Sequence, residues 1–265
     1  MPRPSTERGF DPGLDMQLSD DSLSFSYGPE CFGPEPEMRS LDAIRPSLLD
    51  PQCSGPDPVY GICMDVGKTK DRQELLRRYL LFGVVAYAAG TLGQEAVRSQ
   101  GHVHAISPHS GWSAPEIFEI WQGKAIIYAQ ELTSDNPGRC FAIEAGPGEH
   151  VVAPPGWAHC VINADPRERM VFGALCDREY GFVYEGVRAH RGLAWFPLVK
   201  AGKIDWQRNP TYAHSRLEVR RARRYEELNL RHDVPLYTQF EREPGALQWV
   251  SDPQRAADAW KTFEP

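Results

Sequence analysis

From residue 81 to about residue 198 the chain is a succession of short β-favouring runs, each cut off by Gly, Pro or Asn before it can grow. The runs cover residues 84–88, 116–121, 124–131, 140–144, 151–153, 160–163 and 170–175. A helix of ordinary length needs about ten residues with apolar positions every three to four, and no stretch here offers that. Many short strands with closely spaced turn signals instead specify an antiparallel sandwich or barrel, not an α/β sheet.

The flanks read differently. Residues 1–36 are rich in Pro, Gly, Ser and Asp without a sustained period and read as a flexible or draped N-terminal arm. Residues 37–80 mix a helical candidate at 40–49, a strand candidate at 58–64 and a helical turn or two at 71–80. Residues 201–265 form a C-terminal extension, basic and helix-tolerant over 216–229 and then punctuated by Pro. Its tyrosines and arginines (Tyr212, Arg220, Arg223, Tyr225, Tyr237, Trp249) read as packing aromatics on a solvated helix, or else as a cover for the pocket or a second subunit. No internal repeat is visible, which argues against a duplicated barrel.

With 265 residues the chain is long enough to bury a core, and a net charge of −7 gives no electrostatic footprint for nucleic acid. No apolar run approaches the ~20 residues that cross a bilayer, and no leader pattern stands at the N-terminus. The six cysteines (Cys31, Cys53, Cys63, Cys140, Cys160, Cys176) form no CxxC pair and read as reduced thiols of a cytoplasmic protein.

The chemistry is concentrated in Gly101-His102-Val103-His104, then Glu116, then the run from Gly148 to Asn163, which contains His159. Residues two apart on a strand point to one face, so His102 and His104 can both aim inward and share one ion. A carboxylate from the next strand adds an oxygen donor and a third imidazole arrives from across the sheet. Three nitrogens and one oxygen leave open positions on a divalent ion for water or substrate. A lone buried histidine is more often a hydrogen-bonded core residue, but here the pair, the later histidine and the punctuating glycines agree. By contrast His109, His150 and His190 read as surface or loop histidines, and Glu119, three residues after Glu116, is expected on the opposite face.

These residues resemble the cupin motifs. Gly148, Pro154, Gly156, His159 and Asn163 match the second motif at each defined position, and Gly123 follows Glu116 at the spacing of the first. The resemblance implies an all-β fold, the cupin double-stranded β-helix or jelly-roll barrel, over residues 37–200, with His102, His104, Glu116 and His159 as metal ligands. Within cupins, residues 99–104, 115–118, 152–163 and 179–181, with Arg39-Ser40-Leu41-Asp42 and Pro58-Val59-Tyr60 upstream, are similar to the archaeal and bacterial cupin-type glucose-6-phosphate isomerases.

That similarity implies a metal-dependent isomerase interconverting an aldose phosphate and a ketose phosphate, with a sugar or sugar-phosphate substrate and one divalent ion per chain. Fe2+ is the expected ion, with Mn2+, Zn2+ and Ni2+ as alternatives. It carries over Glu116 as ligand and candidate base, Tyr180 as a second catalytic residue matching a tyrosine near the substrate, and Tyr60, Ser99, Gly101 and Tyr180 as substrate contacts. Proton transfer and hydride shift between C1 and C2 both remain open. A homodimer is expected, because cupins commonly pair through extended sheets. The chain departs from the family in a longer segment between His104 and Glu116, in Phe118 where a tyrosine stands, and in Val84 and Val85 where threonines stand. Those departures keep a second reading alive, a cupin metalloenzyme of another class such as a dioxygenase, epimerase or lyase. A non-catalytic sugar-binding cupin is the third.

Overall fold

The computed structural model describes residues 10–265. Ten strands build its two principal sheets: β1 (Glu37–Arg39), β2 (Tyr60–Met64), β3 (Leu80–Tyr87), β4 (Glu116–Gln122), β5 (Ala125–Gln130), β6 (Cys140–Ala145), β7 (His150–Ala153), β8 (Ala158–Asn163), β9 (Met170–Asp177) and β10 (Leu217–Arg221). Sheet one has the order β7-β4-β9-β3-β2-β1 and sheet two the order β8-β5-β6-β10. Every pairing is antiparallel except β6 with β10, which run parallel. This is the expected all-β double-stranded arrangement. The sheets face each other without joining into one hydrogen-bonded cylinder among the described residues.

The strands are apolar on both faces because both faces are covered. On β3, Val85 and Tyr87 point between the sheets while Val84 and Ala86 point outward. On β5, Ile127 points inward, and Ile126 and Tyr128 outward. The outer face of sheet one is covered by the C-terminal extension through Tyr225, Leu236, Tyr237, Phe240 and Trp249. That of sheet two is covered by Val187, Leu193 and Tyr212, with Trp195 and Trp206 from the hairpin Trp195–Lys200 and Lys203–Arg208 packed alongside. Tyr212, Tyr225, Tyr237 and Trp249 are therefore buried packing aromatics, and burying a large side chain of this kind contributes roughly 1.5–3 kcal/mol.

Several local expectations change in the structure. Residues 216–229, read as helix-tolerant, supply β10, because the edge of β6 offers a ladder that no local propensity can outweigh. The candidate helix at 40–49 shortens to Leu41–Ile44 and a 3-10 turn Arg45–Ser47, capped by the Ser40 hydroxyl accepting from the Ala43 N–H at 3.3 Å. The arm's described part, from residue 10, forms the hairpin Met16–Leu18 with Phe25–Tyr27, and its apolar side chains pack on the core of sheet one. No helix of the described residues is long and apolar enough to cross a membrane.

Two turns position the site. Gly123, at φ +77°, carries the chain from β4 in sheet one to β5 in sheet two, and a Cβ there would lie 2.9 Å from the Arg169 carbonyl oxygen. Gly101, at φ +89°, packs against Leu193 and turns the chain into His102.

Candidate metal centre

His102, His104, Glu116 and His159 converge between the sheets, with one potential ligand atom from each lying within 4.8 Å of the others. The local structure accounts for each placement. Residues 98–102 run beside β8, where the His102 and His159 backbones exchange N–H···O bonds of 3.1 and 2.9 Å. His104 pairs with Phe182 in a short ladder that follows. Glu116 begins β4 and faces inward with Phe118 and Ile120, since the three stand two residues apart.

The ring orientations suit an ion. His104 Nδ1 lies 2.9 Å from the Ala114 carbonyl oxygen and His159 Nδ1 lies 3.1 Å from that of Trp157. A carbonyl only accepts, so each Nδ1 carries a proton and each Nε2 is the atom turned to the centre, where it donates to Glu116 when protonated and offers a lone pair to an ion once that proton is gone. Glu116 Oε2 lies 3.3 Å from His159 Nε2 and 3.4 Å from His104 Nε2. His102 Nε2 is buried and has no hydrogen-bond partner. A buried imidazole nitrogen left unpaired is costly, and a cation at the centre of this donor set removes that cost. The residues therefore fit a divalent ion with three nitrogen donors and one oxygen donor.

Electrostatics favour the same occupant. Burial, and then the neighbouring imidazoles of His159 and His104, push the pKa of His102 well down and keep it neutral. Burial would raise the Glu116 carboxyl, but hydrogen bonds with His104 and His159 more than offset it and bring the pKa down to about 2. The site thus holds a carboxylate and at least one neutral imidazole ready for a cation.

A cavity opens beside this cluster. Tyr60, Ser99, Gly101 and Tyr180, expected as substrate contacts, all line it. Tyr60 stacks on Tyr87 with ring centroids 4.9 Å apart, and burial pushes its pKa up to about 12. The Ser99 hydroxyl accepts from the Val161 N–H at 3.2 Å. Phe118 lines the cavity, its ring centroid 5.9 Å from that of His159. Val85 faces inward and Val84 outward, so only one of the two departures bears on the cavity. The longer segment after His104 folds back on itself: the Ser113 hydroxyl donates to the His104 carbonyl at 2.6 Å, and Ala114 orients the ring.

Some residues fall outside the expectations. Phe182 packs over His102 at 4.3 Å between ring centroids, and Tyr184 stands 6.1 Å from the same ring. The spacing Tyr180, Phe182, Tyr184 is strand-like and carried that signal. Arg39 lines the cavity as well, and nothing local to its sequence announces that. His150 is buried, not a surface histidine. Glu119 does face away from the cluster, and its carboxylate meets His150 Nε2 at 2.9 Å and accepts from the Trp121 indole N–H at 2.8 Å and the Leu236 N–H at 2.6 Å. This second buried carboxylate ties β4 to the C-terminal layer. His109 stacks on Tyr79, and His190 on Tyr212.

The chain is 29% identical to the glucose-6-phosphate isomerase of Thermococcus litoralis over 133 residues, 50% of this chain and 64% of that protein. It is 27% identical to the Pyrococcus abyssi enzyme over 50% of this chain and 65% of the relative. The match thus spans about 64% of the relatives' own length. Among solved structures, an oxalate oxidase aligns with a TM-score of 0.34 at 15% identity over 47% of this chain and 54% of that one. A vicilin from Capsicum annuum aligns with a TM-score of 0.32 at 15% identity over 46% and 30% of the two chains. The family model described as glucose-6-phosphate isomerase (GPI) matches residues 48–215, more than half of the chain. The chain belongs to the glucose-6-phosphate isomerase (GPI) family.

Proposed function

We propose that this protein is a metal-dependent isomerase interconverting an aldose phosphate and a ketose phosphate, glucose 6-phosphate and fructose 6-phosphate or a related pair. The observation that carries the proposal is the convergence of three imidazoles and one carboxylate beside a cavity, in a member of this family. His102, His104, Glu116 and His159 would hold a divalent ion, which would supply Lewis-acid stabilisation to the sugar's oxygens at C1 and C2. Fe2+ is the expected ion.

The chain's own residues do the rest. Both imidazole contacts of Glu116 use Oε2, which leaves Oε1 to take a proton from one carbon and return it to the other. Phe182, Phe118 and the inward face of β9 line the cavity with apolar surface, which limits water around the reacting carbons. Tyr60, Ser99, Gly101 and Tyr180 orient the sugar. A two-fold pairing of the chain in the cytoplasm is part of the same reading; light scattering that shows a monomer at micromolar concentration removes the pairing.

The test is conversion of fructose 6-phosphate by protein stripped with a chelator and then reloaded with Fe2+, Mn2+, Zn2+ or Ni2+. Turnover that appears with the ion and vanishes with EDTA is expected. Turnover unchanged by the chelator removes the metal from the mechanism. No turnover of any sugar phosphate, with metal bound, transfers the site to another reaction class.

A further inference from the structure

We propose that Arg39 anchors the anionic end of the substrate and so selects phosphorylated over neutral sugars; this rests on the isomerase reading and adds a specificity residue to it. Among the described residues lining the cavity, Arg39 alone carries a permanent positive charge. Its backbone pairs directly with Tyr60 across β1 and β2, and Tyr60 pairs with Tyr87 across β2 and β3. Directly opposed residues share a face, so Arg39 extends the Tyr87–Tyr60 stack along the cavity wall.

The guanidinium is only partly satisfied. Its Nη2 donates to Glu37 Oε1 at 2.7 Å, and that carboxylate is on the solvent side, 68% exposed. Its Nε is buried and has no hydrogen-bond partner. A planar fork with one edge paired and another N–H buried and idle is built to receive a further acceptor, and a phosphate monoester presents several. The Tyr60 ring stands next to it on the same wall.

The position suits a ligand with an anion at one end and adjacent oxygens at the other. Tyr184 lines the cavity as well. Its ring is 6.1 Å from that of His102, and its phenol feels the charge of Arg39. The Arg188 guanidinium covers the outer face of the same ring at 4.9 Å and is itself held by Gln100 Oε1 at 3.0 Å. Val85 offers the cavity no hydroxyl, and an arginine meets an anion more strongly than a hydroxyl does.

The experiment compares metal-loaded wild type, Arg39→Gln and Arg39→Lys. Calorimetry measures binding of sorbitol 6-phosphate and of sorbitol, neither of which needs turnover, and metal content is measured on each protein. The wild type is expected to prefer the phosphorylated polyol. Arg39→Gln should lose roughly 10- to 100-fold of that preference with full metal content, and Arg39→Lys should recover part of it. A parallel rise in KM for fructose 6-phosphate with kcat nearly unchanged is expected. Equal affinity of wild type and Arg39→Gln for sorbitol 6-phosphate overturns the proposal even if isomerase activity is present, as does a wild type that binds both polyols alike. An Arg39-dependent preference without isomerisation keeps the anchor and overturns the isomerase reading.

Discussion

Replacing His159 with alanine separates a metal centre from a merely polar core. Without an ion, His159 contributes a contact of 3.3 Å with Glu116 and one of 3.1 Å with the Trp157 carbonyl. Glu116 keeps His104 at 3.4 Å, so the buried carboxylate is not orphaned and the apo variant should lose only about 1–3 kcal/mol. With an ion the difference is of another kind. Metal at about 100 times its Kd stabilises the folded wild type by about 2.7 kcal/mol, which is roughly 5–10 °C in melting temperature for a chain of this size. Loss of an outer hydrogen-bond partner already weakens metal binding about 10- to 100-fold, so loss of a ligand should exceed about 100-fold. At the same metal concentration the variant then gains no more than about 0.4 kcal/mol, or ~1 °C. The assay is thermal unfolding of chelator-stripped protein titrated with Mn2+, together with metal content by mass spectrometry. Equal metal-induced shifts in wild type and His159→Ala, with equal metal content, would refute the four-ligand assignment.

Three further outcomes are expected. Glu119→Ala leaves His150, the Trp121 indole N–H and the Leu236 N–H without their buried acceptor, so stability should fall by about 3–5 kcal/mol; urea unfolding reads this, and metal content should stay full. Gly101→Ala forces a side chain into φ +89° against Leu193, which should cost roughly 1–3 kcal/mol and weaken metal binding through the adjacent His102; unchanged metal affinity would show that the turn does not set the ring. Tyr180→Phe should keep the metal and lower turnover, because Tyr180 lines the cavity and is not among the converging donors; loss of metal would place the hydroxyl in the wrong role.

The cluster of candidate metal ligands was legible because strand periodicity is short-range. His102 and His104 are two residues apart, Glu116 precedes a turn glycine by a strand's length, and His159 sits inside a run of Pro and Gly that sets its own turn. The same reasoning placed Glu119 on the opposite face. It missed the burial of His150, since a histidine opposite a carboxylate is defined by the β4–β7 register, which pairs Glu119 directly with His150. Strand β10 was missed for a similar reason: its partner β6 lies 77 residues earlier, Cys140 facing Leu217, and only assembly supplies that edge.

The all-β character of the chain, the identity of the four converging side chains and the inward or outward direction of each were set by the sequence, because alternation along a strand and the demands of tight turns act over a few residues. Tertiary structure decided what lies across from what. It brought Arg39 beside Tyr60, laid the C-terminal layer over sheet one through Glu119, and set Phe182 above His102. These are pairings between segments far apart in the chain, and their energy comes from burial and cross-strand contact that no local pattern encodes.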